Sequence, residues 1–297
     1  MTADWKRGIN LLRNACRKTR LPEYWHKHSP KTYKVWQHLI MLVFCRRYFA
    51  SYTEFVENLN NTVLPKFIDL KCVPDEGTLC KEEKRLRPYM AQVAIALAIT
   101  ILPKYFVAGA DGTGLQTKKA SAYYIKRVLG QFSRRGFAHL LFVVWKTYIL
   151  AWELRLLPKD ELKMLRSCWK QLRKRPSTLV YDKKGDCEAH HEWLESQGVR
   201  SIAPVRKGAH RGKYRRKLIK YFPQKTYGKR NRNENVNGMF KNRYGEALSA
   251  YTVKGRRSEM TTKVTAHNLW ERLSALLIRT FQYHLMIAKF IKLKGMT

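Results

Sequence analysis

Four side chains in the last third of the chain stand at intervals that put them on one side of a helix: Tyr227, Arg230, Glu234 and Lys241. At about 100° per residue, Arg230, Glu234 and Lys241 fall at roughly 300°, 340° and 320° from Tyr227, which makes one narrow stripe. A single carboxylate among cations suits a helix that offers one ligand to a metal and several donors to phosphates. The plainer reading is a solvated ion pair, since Arg230 and Glu234 are four residues apart. Two aspartates upstream carry matching chemistry. Asp111 closes the apolar run that starts at Tyr105 and is followed by glycines, and Asp182 closes the run that starts at Thr178. Carboxylates are what Mg²⁺ takes in preference to imidazole or thiolate, and two such ions about 3.5–4 Å apart serve phosphodiester cleavage.

Those side chains need elements to position them. The stretch 105–111 reads as a buried strand ending at its carboxylate. Aromatic and β-branched residues over 137–148 and 149–156 predict two adjacent strands. An amphipathic helix follows over 160–172, carrying Leu162, Leu165, Trp169 and Leu172. A short strand over 178–182, a helix over 188–197 closed by Gly198, and a strand over 199–205 come next. Residues 206–220 read as a basic loop, and 254–257 as a basic turn. A long helix over 267–292 turns Leu269, Leu273, Leu276, Leu277 and Ile287 inward, to pack on the rest of the fold or on a second subunit.

Upstream, 31–102 reads as helical. The dense apolar run 35–44 predicts a buried helix. Ser51 and Glu54 stand at capping-box spacing ahead of a second helix with Phe55, Val56 and Leu59 inside. A short piece follows at 66–70. Asp75 or Thr78 caps the next helix, and Pro88 marks a break before another. Short helices ending in one rich in Lys81, Lys84, Arg85 and Arg87 are compatible with a helix-turn-helix-like unit that contacts DNA.

Charge narrows the partner. Lys plus Arg number 59 against 22 Asp plus Glu, a formal net charge of +37, so a polyanion is expected and nucleic acid fits best. The cations are spread along the whole chain, not gathered beside an apolar span, which argues against a membrane surface. No run reaches the roughly 18–20 apolar residues of a membrane helix, and the first residues lack the build of a signal peptide. Six cysteines without a C-x-x-C pair read as reduced thiols, and Cys187, His190 and His191 lack the further ligands a zinc site needs. A cytoplasmic, nucleoid-associated protein is expected.

Tyr, two residues, Arg, three residues, Glu, six residues, Lys is similar to the signature of bacterial and archaeal insertion-sequence transposases of the DDE class. The resemblance covers roughly residues 30–275, and the stretch from Val73 to Leu79 resembles the N-terminal region of the same enzymes. It implies an α/β fold: a ribonuclease-H-like mixed five-stranded sheet flanked by helices. Residues 102–297 would form that catalytic domain, including a C-terminal helical segment 258–297, behind an all-helical DNA-binding domain 1–101. It implies that Asp111, Asp182 and Glu234 are catalytic and hold two Mg²⁺, with Mn²⁺ able to substitute. Where the family often has Asp-Lys-Gly-Tyr-Asp, this chain has Asp182-Lys-Lys-Gly-Asp186. Asp182 is preferred as second carboxylate because it directly ends the apolar strand, whereas Asp186 suits a helix N-cap. An asparagine, Asn233, replaces the usual apolar residue before the glutamate.

The implied activity is cleavage at transposon ends and joining of the 3′-hydroxyl to target DNA. Alternatives are a catalytically silent DNA-binding protein derived from a transposase, and a ribonuclease-H-like DNA nuclease without strand transfer. The partners would be double-stranded DNA, as terminal inverted repeats and target, with a homodimer assembled on it. Expected DNA contacts are Tyr227, Arg230, Lys241, Lys81, Lys84, Arg85, Arg206, Lys207, Arg211, Lys213, Arg215 and Arg216.

Overall fold

The computed structural model describes residues 2–28, 30–117, 137–156 and 160–294, with the side chains of 2–4 and 279–294, Ile287 among them, outside the described set. Its described strands are β1 (Val107–Gln116), β2 (Phe137–Trp145), β3 (Tyr148–Arg155), β4 (Thr178–Val180) and β5 (Arg200–Ile202). They form one five-stranded sheet in the order β3-β2-β1-β4-β5. The first three are antiparallel neighbours, while β4 runs parallel to both β1 and β5. This mixed sheet flanked by helices is consistent with the ribonuclease-H-like fold expected from the sequence.

Period-two alternation gives the sheet two apolar faces. Leu140, Phe142 and Val144 of β2 enter one core, and Leu141, Val143 and Trp145 enter the other. On the second face lie α6 (Glu161–Trp169) and α7 (Glu188–Ser196), through Met164, Leu165, Cys168 and Leu194. On the first lie α10 (Asn231–Tyr244), through Val236 and Phe240, and the helices of the N-terminal third.

That third opens with α1 (Thr2–Lys18), which the sequence reading passed over although Trp5, Ile9, Leu12 and Cys16 form a buried stripe at helical spacing. Helix α2 (Val35–Tyr48) is buried from Gln37 through Cys45 on all sides, so it sits inside the core. In α3 (Tyr52–Leu59) the Ser51 hydroxyl accepts from the Glu54 N–H at 3.1 Å. The short α4 (Leu64–Phe67) precedes α5 (Glu76–Ile99), which Asp75 caps by accepting from the Thr78 N–H at 2.7 Å.

Several sequence expectations are corrected. Pro88 breaks nothing: α5 runs through it as one helix of 24 residues. The missing hydrogen bond is offset by packing along α11 (Val253–Lys294), where Thr265 donates to the Met90 carbonyl and Asn268 donates to that of Ala94. Helix α11 takes in the supposed basic turn 254–257, and Leu277 on it is exposed, not inward. The basic segment after β5 is not all loop, because residues Lys213–Lys220 form α8. Among the described residues no helix is long and apolar enough to cross a membrane.

Candidate active site

Strand β1 does not end at Asp111. It continues five residues to Gln116, because Gly112 and Gly114 remain paired with Leu141 and His139 of β2. Asp111 is thus a mid-strand residue. On the other side Gly109 pairs with Val180 of β4. Asp111 and Asp182 each lie two residues beyond that pair, the first still within β1 and the second just past the end of β4, and the charge of Asp182 is felt by Asp111. Asp182 follows β4 after Tyr181 and caps the single 3-10 turn Lys183–Gly185, accepting from the Lys184 N–H at 2.8 Å.

The signature stretch is helical in three pieces: α9 (Gln224–Tyr227), a 3-10 turn Gly228–Arg230, and α10. Its buried stripe is Asn233, Val236, Asn237, Phe240 and Tyr244. Asn233 packs on β1 so closely that a Cβ on Gly109 would lie 2.3 Å from its Oδ1, so any larger residue there must displace the Asn233 side chain or the helix that carries it. One turn on, Asn237 Nδ2 donates to Asp111 Oδ2 at 3.1 Å. Glu234, one residue off this stripe, is turned toward solvent and takes Arg230 Nη2 at 3.0 Å.

Arg230 links the acidic groups. Burial works against its charge, but Tyr227, Asp111, Glu234 and Asp182 outweigh that and raise its pKa. Burial likewise is the largest influence on Asp111 and raises its pKa. Arg230 pulls that value down, while the charges of Asp182 and Glu161 push it up. The Asp111 and Asp182 carboxylates are hard oxygen donors of the kind Mg²⁺ or Mn²⁺ takes, whereas the Arg230 cation beside them competes for the same charge. The expected trio is nonetheless not gathered: Asp111 and Asp182 are brought together, and Glu234 reaches them only through Arg230. Among the described residues no cluster of three or more His, Cys, Asp or Glu side chains is arranged for a metal.

Asp186 does not cap α7, whose N-cap position is Cys187. Its side chain is fully buried, ion-paired with Arg215 at 2.7 Å, and accepts from the Arg206 N–H at 2.8 Å. Arg206 Nε also donates to the Lys183 carbonyl at 3.0 Å. The basic segment is therefore tied to the turn that carries Asp182. Arg206, Lys207, Arg211, Lys213 and Arg216 remain exposed there, while Arg215 is half-buried. Lys241 is half-buried on α10, two turns beyond Glu234, and the Tyr227 ring meets Phe222 edge-on. On α5, Lys81 and Arg85 are exposed and Lys84 half-buried, and Arg85 lies over the Trp25 ring at 4.2 Å.

Two neighbours of the site went unnoticed in the sequence. Asn237 holds Asp111. Glu161, at the first position of α6, accepts from Tyr181 OH at 3.0 Å and from Lys184 Nζ at 2.6 Å, with His139 Nε2 at 3.1 Å. Burial opposes its charge, yet those partners hold its pKa down at about 2. In sequence Glu161 is indistinguishable from an acid placed to suit a helix N-terminus.

No protein-family model matches the chain, and no curated protein matches it. Among solved structures it is similar to one described as the crystal structure of a pre-cleavage Mos1 transpososome, at 11% identity over 85% of this chain and 81% of that chain, with a TM-score of 0.24. At that TM-score the likeness carries no argument about this chain.

Proposed function

We propose that the chain is a DNA transposase of the DDE class, which cuts at the ends of its element and joins the freed 3′-hydroxyl to target DNA. The observation that supports this best is that Asp111 and Asp182 each come two residues after the paired Gly109 and Val180 of β1 and β4, with Arg230 of the signature stretch feeling the charges of both and of Glu234. Asp111 and Asp182 would hold Mg²⁺, joined by Glu234 once it is released from Arg230, and the ion when bound would supply charge that activates the attacking oxygen and stabilises the leaving one. Asn237 orients Asp111. Arg230, Tyr227 and Lys241 face the scissile strand and bind its phosphates, and the exposed cations after β5 follow the duplex backbone. Lys81, Lys84 and Arg85 extend that contact from the helical region 1–101, in a homodimer on the DNA.

A second reading, a silent DNA-binding protein, has one observation in its favour: Glu234 is already neutralised by Arg230. The test uses purified protein, Mg²⁺, and DNA from either side of the gene carrying any inverted repeats found there. Cleavage at the repeat ends with joining to a target plasmid is the expected result. Cleavage without joining would leave a nuclease, and binding without cleavage would leave the silent protein.

A further inference from the structure

Glu161 does more than neutralise a lysine. Tyr181 and Asp182 follow β4 in succession: Tyr181 turns into the core under α6, while the charge of Asp182 is felt by Asp111. Tyr181 belongs to the apolar core under α6, and its hydroxyl donates to Glu161 Oε2 at 3.0 Å. Two residues beyond Asp182, Lys184 reaches back to Glu161 Oε1 at 2.6 Å. The same oxygen faces His139 of β2 at 3.1 Å. Glu161 therefore grips the residue before Asp182 and the residue two after it, and anchors both to β2. It also lies against β1, where a Cβ on Gly112 would come within 2.9 Å of Oε1.

We propose that Glu161 is a positioning residue that sets where Asp182 stands relative to Asp111, and so sets the affinity of the carboxylate pair for a divalent cation. Its own oxygens are engaged by Tyr181, Lys184 and His139, so its part is to hold the turn. The inference rests on the reading of Asp111 and Asp182 as metal-holding. Its physical basis is that a carboxylate projecting from a turn is only as well placed as the turn, and outer partners of metal ligands commonly matter 10–100-fold in metal affinity. Lys184 is well exposed, so losing it leaves the core untouched; because its charge also acts on Asp182 and Asp111, removing that charge by itself would favour a bound cation, and a weakened affinity therefore reports the lost grip.

The experiment measures Mn²⁺ binding by calorimetry, together with thermal melting and the Mg²⁺ concentration dependence of DNA cleavage, for wild type, Asp182→Asn, Glu161→Gln and Lys184→Met. Wild type should bind Mn²⁺ and Asp182→Asn should lose it. Glu161→Gln should weaken Mn²⁺ binding roughly tenfold or more, and Lys184→Met should weaken it in the same direction with an unchanged melting temperature. Cleavage by both should need more Mg²⁺ for half-maximal rate and approach the wild-type rate when saturated. Glu161→Gln or Lys184→Met that stays folded and binds Mn²⁺ within twofold of wild type would overturn the proposal. A wild type that binds no Mn²⁺, or an Asp182→Asn variant that binds it as well as wild type, would instead sink the reading of the site, and the proposal with it.

Discussion

Arg230 Nη2 lies 3.0 Å from Glu234 Oε1, and the same guanidinium feels the charges of Asp111 and Asp182. A four-residue spacing that could have been a surface ion pair is thus also the link between the signature helix and the carboxylates of the sheet. Exposed pairs of this type contribute only about 0–1 kcal/mol to stability, so the value of these cations has to appear in chemistry.

Lys241 gives the cleaner test of that, because Arg230 also orients Glu234. If Lys241 holds a phosphate on which charge builds in the transition state, Lys241→Ala should cost on the order of 2.7–4 kcal/mol of barrier. That is roughly a hundredfold to a thousandfold in single-turnover cleavage at saturating DNA, with the melting temperature nearly unchanged. Wild-type speed would rule the clamp out.

Asp182 and Asp186 should respond oppositely to replacement. Asp182→Ala is expected to abolish Mg²⁺-dependent cleavage while DNA binding and stability stay close to wild type. Asp186→Ala strips Arg215 and the Arg206 N–H of a buried acceptor and should cost about 1–3 kcal/mol in denaturant unfolding. Exchanged outcomes would mean that the second carboxylate was assigned four residues too early.

Gly109→Ala probes the contact of α10 with β1. The added Cβ would sit 2.3 Å from Asn233 Oδ1, so the buried Asn233 side chain or the helix carrying it must give way, at about 1–3 kcal/mol. Cleavage should fall too, as Asn237 and Arg230 are carried off Asp111. The double variant with Asn233→Ala should regain stability, and melting curves of the three proteins decide the point.

Burial lowers the imidazoles of His38, His190 and His267 to about 4. In the unfolded chain they take up protons near the ordinary value of about 6.5. Between those limits the unfolded state binds more protons, so stability rises with pH, by up to about 1.4 kcal/mol per pH unit for each histidine. Unfolding free energies measured from pH 7 down to 5 should fall steadily, and His267→Asn should flatten the profile if it folds. A level profile would contradict neutral, buried histidines.

Much of this was legible in residue order. Alternation along β2 and β3 and the caps at Asp75 and Ser51 are local signals, and local signals survive without a partner. Pro88 misled because propensity places a break there, whereas the buried face from Leu79 to Leu97 holds α5 straight through it. Leu277 misled because an apolar residue on a long helix need not have anything to pack against.

By itself the sequence determined which carboxylates and cations exist, their spacing, and the order of strands and helices that carries them. Tertiary structure alone decided how those elements meet. The parallel register of β1 with β4, just ahead of Asp111 and Asp182, joins residues 71 apart in the chain, and no local pattern encodes such a register. The rotation of α10, which gives the inward positions to Asn233 and Asn237 and leaves Glu234 to Arg230, is set by how closely that helix can approach Gly109. Glu161 gains its role only because α6 folds back beneath the end of β4, where one carboxylate can accept hydrogen bonds from Tyr181 and Lys184 together.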